Sequence, residues 1–129
     1  MTQAQWVVDA SALLAAIHNE PGGTYVQQSI DHCVISAVNW SEVLQKLDKS
    51  GVEVNKIDTS LKALGLTVTN FTEEDAHLSA SLWATCKVLG LSLADRACLA
   101  TAIRLRTKVI TADHAWKKLE IDIQIHLIR

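Results

Sequence analysis

The sequence predicts an α/β fold with a parallel sheet of about five strands flanked by helices. Three observations predict it. Short apolar runs alternate with longer helical patterns, as crossover units require. The runs are too apolar for a half-solvated strand, so both faces of the sheet must be covered. Acidic residues stand where runs give way to helices, and right-handed crossovers bring all such points to one edge.

Residues 5–8 read as a buried strand ending at Asp9. Residues 11–18 (SALLAAIH) read as a helix, which Asn19-Glu20-Pro21-Gly22-Gly23 terminates. A second helix is expected over 24–30 and a second strand over 33–35. Residues 36–49 form a helix with Val38, Val43, Leu44 and Leu47 as its apolar stripe and Gly51 beyond its end. Residues 54–64 form another, stopped by Gly65, and 66–68 a third strand. Thr72-Glu73-Glu74-Asp75 has the form of a capping box. It opens a helix carrying Ala76, Leu78, Leu82 and Trp83 that ends near Gly90. Ser92-Leu93-Ala94-Asp95 repeats the capping form and starts a helix to about Arg106. Residues 109–111 are a fourth strand, and 121–128 contain a fifth.

At 129 residues the chain has the length of one domain, and the whole of it is expected to form that domain. It can bury a core without a disulfide or zinc staple. A hydrophobic fraction of 49% argues against disorder. The net charge of -2 excludes nucleic-acid binding by bulk charge, but not a nuclease with a local basic rim. Cys33, Cys86 and Cys98 make no disulfide or zinc pattern and lie among apolar residues, so buried reduced thiols and a cytoplasmic setting are expected. The opening Met-Thr-Gln-Ala-Gln is not that of a secretory leader, and no apolar run is long enough to span a membrane.

Asp9, Glu42, Asp95 and Asp113 are the acids at these transitions. Asp9 and Asp113 follow strands, and Glu42 and Asp95 are expected in the first turns of helices. Helix capping explains any one of them as well as catalysis does: Glu42 pairs with Asn39, Asp95 with Ser92, and Asp113 can open the short helix carrying Trp116. As a set they are different. Two carboxylates about 5 Å apart repel by roughly 3 kcal/mol at an effective dielectric near 20. A cluster of them calls for a hard, oxygen-seeking cation such as Mg²⁺ or Mn²⁺, and for chemistry on phosphate.

Four segments carry a family likeness: Val7-Val8-Asp9-Ala10-Ser11-Ala12-Leu13-Leu14, Ser36-Ala37-Val38-Asn39-Trp40-Ser41-Glu42-Val43, Leu91-Ser92-Leu93-Ala94-Asp95-Arg96-Ala97-Cys98-Leu99-Ala100 and Thr111-Ala112-Asp113-His114-Ala115-Trp116. In order and spacing the chain resembles PIN-domain ribonucleases, above all the VapC toxins of toxin–antitoxin pairs. The resemblance implies a three-layer fold and a Mg²⁺- or Mn²⁺-dependent endoribonuclease acting on tRNA or ribosomal RNA. It also implies a VapB-like antitoxin and a homodimer. Carried over by position, Asp9, Glu42, Asp95 and Asp113 are the acidic site, with none substituted. Ala94 departs mildly, since the family often has Gly there.

On this reading Asp9 and Asp95 are the core metal ligands and Asp113 completes the set. Glu42 binds a second metal or takes a proton from the attacking water. Ser11, Ser92 and Thr111 are caps or orient the carboxylates. Arg96 and Lys46, with Lys49, Lys117 and Lys118, are candidates for phosphate contact, although basic side chains are usually solvated surface. His114 reads as a surface residue beside Asp113. Trp40 could border the cleft and stack on a base, whereas Trp6 and Trp83 read as core or interface. Residues 10–17 and 54–64 are candidate packing surfaces for the dimer or antitoxin. The alternative is a catalytically silent PIN-like module that holds a partner through its acidic cleft. A receiver or a haloacid-dehalogenase-like phosphatase would need other acids near the first strand than Asp9-Ala10-Ser11 provides.

Overall fold

The computed structural model describes residues 5–129; residues 1–4, on which the absence of a leader was read, lie outside the described residues. Strand β1 (Trp6–Val8) is followed by helices α1 (Ala10–Ile17) and α2 (Gly23–Gln28) and a 3-10 turn, Ile30–His32. Then come β2 (Cys33–Ser36), α3 (Ala37–Lys49), α4 (Val54–Ala63) and β3 (Thr67–Thr69). Helices α5 (Glu73–Ser81), α6 (Trp83–Lys87) and α7 (Leu93–Leu105) lead to β4 (Val109–Thr111). A second 3-10 turn, His114–Lys118, precedes β5 (Ile125–Leu127).

The five strands lie in the order β3-β2-β1-β4-β5, and every neighbouring pair is parallel. The apolar runs explain why both faces are covered. Val8, Ile35 and Ile110 point to one side, where α1, α3 and Leu66 pack on them. Val7, Val34 and Val109 point to the other, against Cys86, Cys98, Leu99 and Trp116. Adjacent residues on each strand thus enter opposite cores, the period of two that a strand imposes. All three cysteines are free and buried. Among the described residues no helix is long and apolar enough to cross a membrane.

The order reverses direction between β1 and β4: the chain works outward from β1 through β2 to β3, then returns to β4 and β5. Such a reversal opens a crevice at the carboxyl ends of the strands. Asp9 and Asp113 stand there, one residue after β1 and two after β4.

Several expectations need correction. Residues 72–90 form two helices because the chain breaks at Leu82, and Trp83 is left 53% exposed with Lys87 Nζ 4.3 Å from its ring centroid. The predicted box of Asn39 and Glu42 does not form. Helix α3 starts earlier, capped by the Ser36 hydroxyl on the Val38 amide, so Glu42 lies in the second turn, not the first. Most of α1 is core, which leaves little of it for an interface, while α4 buries none of its residues. The break after α1 depends on Gly22: its φ is +85°, and a Cβ there would stand 2.2 Å from the Ile128 carbonyl oxygen.

Candidate functional site

Asp9 is fixed by its position between β1 and α1. Its amide donates to the Ile110 carbonyl at 3.2 Å, which locks the end of β1 to β4. Its side chain caps α1: Oδ1 accepts from the Ala12 amide at 2.9 Å and from the Ser11 hydroxyl at 2.8 Å. Oδ2 accepts from the Thr111 hydroxyl, at the end of β4, at 2.5 Å. The carboxylate is only 4% exposed. Burial pushes its pKa up to about 6; the three hydrogen bonds pull against that, and the charge of Asp95 adds to it. A carboxyl in this state is short of positive charge.

Thr111 and Ser11 tie the two strand ends into one unit. Besides holding Asp9, the Thr111 hydroxyl accepts from the Asp113 amide at 3.1 Å, and the Ser11 hydroxyl accepts from the Ala112 amide at 2.9 Å. Asp113 then caps the following 3-10 turn, its Oδ1 accepting from the Ala115 amide at 3.0 Å. The chain after β4 is therefore pinned to the chain after β1 through two hydroxyls that no local pattern requires.

The other two acids come from helices on opposite faces of the sheet. Asp95 sits at the third position of α7 in a full capping box: Oδ2 accepts from the Ser92 amide at 2.9 Å, and its own amide donates to the Ser92 hydroxyl at 3.2 Å. Asn39, 1% exposed, connects α3 to α7. Its Nδ2 donates to Glu42 Oε1 at 3.1 Å and to the Ala94 carbonyl at 3.0 Å. One amide thus holds Glu42 and the peptide just before Asp95. In the sequence Asn39 has the form of a cap, and no local pattern shows the Ala94 carbonyl that it reaches across to α7.

Asp9, Asp95 and Glu42 share one electrostatic neighbourhood. The fully buried Cys98 thiol is held well above its ordinary range by burial first, then by the charges of Asp9, Asp95 and Glu42. Asp113 joins through the Thr111 hydroxyl rather than through that field. Among the described residues, no three His, Cys, Asp or Glu side chains close to ligating distance. Each acid is instead engaged by a donor of its own chain. The donor set nevertheless suits a hard cation: the groups are oxygens, and Asp9 is buried with uncompensated negative charge beside it. Magnesium keeps several waters, so it needs no closed cage.

The candidates for substrate contact divide. Arg96 is turned to α5, its Nη1 donating to the Ser79 carbonyl at 2.9 Å, so its guanidinium serves packing between α5 and α7. Trp40 is 8% exposed within the core and offers no open face for stacking on a base, which overturns that expectation. Trp116 is also fully buried. Lys46 is exposed in the last turn of α3, on a cavity that Ser11 also lines. His114 is exposed and contacts the Arg129 carbonyl at 2.5 Å.

No curated protein matches the sequence. A toxin–antitoxin complex from Klebsiella pneumoniae contains a similar fold, at a TM-score of 0.77 and 19% identity over 97% of this chain and 98% of that one. DNA-bound VapBC from Salmonella typhimurium is similar at 0.74 and 13% over 98% and 100%. FitAcB from Neisseria gonorrhoeae is similar at 0.72 and 18% over 96% and 98%. At these identities the likeness is one of fold. The family model of the PIN domain matches residues 6–121, a span that contains all four acids, and the chain belongs to the PIN domain family.

Proposed function

We propose that this protein is a metal-dependent endoribonuclease of the VapC type, the toxin of a toxin–antitoxin pair. It hydrolyses phosphodiester bonds in RNA of the tRNA or ribosomal class and so inhibits translation. The observation that carries the reading is Asp9, a buried carboxylate at the β1–β4 switch point beside Asp95, held with its pKa near 6. A charge that costly is retained where a ligand needs it. The similar folds found in toxin–antitoxin complexes support the toxin assignment and a VapB-like antitoxin as partner; a homodimer is the form in which we place the active protein.

Asp9 and Asp95 would hold Mg²⁺ or Mn²⁺, and Asp113 would complete the set. A bound divalent ion acidifies its water and offsets charge building on the phosphate. Ser11 and Thr111 keep both Asp9 oxygens oriented, a role their hydrogen bonds fit. Glu42, steadied by Asn39, takes the proton of the attacking water or contributes to a second ion. Ser92 fixes the start of α7 and with it Asp95.

The test is cleavage of total RNA by purified protein with Mn²⁺. Wild type should cut, Asp95→Asn should lose most of its rate, and Glu42→Gln should lose about two orders of magnitude, the scale on which proton-transfer groups act. Protein that binds RNA or a partner but cuts nothing would favour the silent binding module instead.

A further inference from the structure

Most cationic side chains of this protein are committed elsewhere. Lys56, Lys62, Arg104 and Arg129 pair with carboxylates. Arg96 donates to a carbonyl, and Lys87 and Lys108 lie over aromatic rings. Lys46 and Lys49 have no such partner among the described residues, yet they lie together in the last turn of α3. Both line a cavity of about 430 Å³ with Ser11, His18, Glu20 and Arg129. Glu20 does not neutralise them, because Arg129 Nη1 holds it at 3.2 Å. The lysines therefore leave the cavity with uncompensated positive charge.

This cavity joins the acidic site through Ser11. Ser11, which lines it, donates through its hydroxyl to Asp9 Oδ1 at 2.8 Å. A helix C-terminus favours lysines weakly, by about 0.3–1 kcal/mol each. That preference does not account for a pair lining one cavity with Ser11, the hydrogen-bond partner of the buried Asp9. A protein of net charge -2 that acts on a polyanion needs local cations beside its reactive centre.

We propose that this groove is a track for the phosphate backbone of single-stranded RNA, with Lys46 and Lys49 contacting the phosphates that flank the one held at the acids. The choice of RNA as ligand rests on the nuclease reading given above.

The test is binding of a labelled oligouridylate to the full chain, without divalent ions, over a series of salt concentrations. The variants are Lys46→Ala/Lys49→Ala, the charge-keeping Lys46→Arg/Lys49→Arg, and Lys56→Ala/Lys62→Ala, which removes the same charge from α4. Each phosphate contact on a single strand contributes about 0.7 to the slope of log affinity against log salt. The groove alanine variant should bind several-fold more weakly, with a slope flatter by about 1.4. The arginine variant and the α4 variant should keep the wild-type slope. Equal slopes for the two alanine variants would overturn the proposal, as would absence of wild-type binding. Tighter binding of a polyglutamate peptide through the same lysines would also overturn it, assigning the groove to an acidic polypeptide. The two readings fail separately. Lysine-dependent binding without cleavage in Mn²⁺ defeats the nuclease and keeps the track. Cleavage with binding indifferent to the lysines does the reverse.

Discussion

Asp9 shows how one residue carries both a local and a functional demand. As the cap of α1 it satisfies the Ala12 amide, a role Asn or Ser would fill as well. What a cap does not need is burial to 4% exposure beside a second carboxylate. The cost has a definite sign. The unfolded chain releases this proton near 3.8, and the folded chain keeps it to about 6. Between those values the native state binds more protons, so stability falls as pH rises through the window. Above about pH 6 the full penalty applies, roughly 3 kcal/mol for a shift of about two units. Thermal unfolding of metal-free protein should therefore show wild type losing stability from about pH 4 to about pH 7 relative to Asp9→Asn. Parallel curves for the two proteins would show that Asp9 carries no such penalty.

Among the elements, α7 does the most to assemble the molecule. Its N-terminus presents Asp95, its first turn is tied to α3 through Asn39, and its last turn carries Arg104. The Arg104 guanidinium grips Asp75 with Nε at 2.6 Å from Oδ1 and Nη2 at 3.2 Å from Oδ2. Burial pushes the Asp75 carboxyl up, but Arg104 and the Thr72 amide outweigh that and hold it below its ordinary range. Asp75 is fully buried, so Arg104→Met would strand its charge. Equilibrium unfolding in urea at neutral pH should show a loss of about 3 kcal/mol, the lower end for breaking a buried pair. A loss below about 1 kcal/mol would mean the pair behaves as a surface bridge.

At the scale of the whole molecule, what could be read in the sequence was what repeats locally. The bounds of β4 at 109–111 and both capping boxes, at Thr72 and Ser92, follow from short patterns and appear as read. The parallel sheet followed from the alternation of runs and helices, and with it the placing of Asp9 and Asp113 at one edge. The features that escaped depend on partners far along the chain. Asp75 reads as a cap until α7 brings Arg104 to it, 29 residues on. Asn39 reads as a cap until Ala94, 55 residues on, accepts from it. The hydroxyl clamp on Asp9 joins positions 102 apart, so only the pairing of β1 with β4 reveals it. Trp40 sits two residues before an acid in sequence, but the turn of α3 sends it into the core.

On the function proposed here, this acidic edge is built for a divalent cation, with Asp9 as a ligand. The most direct measurement is the shift in melting temperature of metal-free protein on adding Mn²⁺ or Mg²⁺ at neutral pH, for wild type and Asp9→Asn. A ligand at 100 times its dissociation constant stabilises by about 2.7 kcal/mol, which for a chain of this length is a shift of several degrees. Wild type should show that shift and Asp9→Asn should lose most of it. An equal shift in both proteins, or none in wild type, would contradict the account.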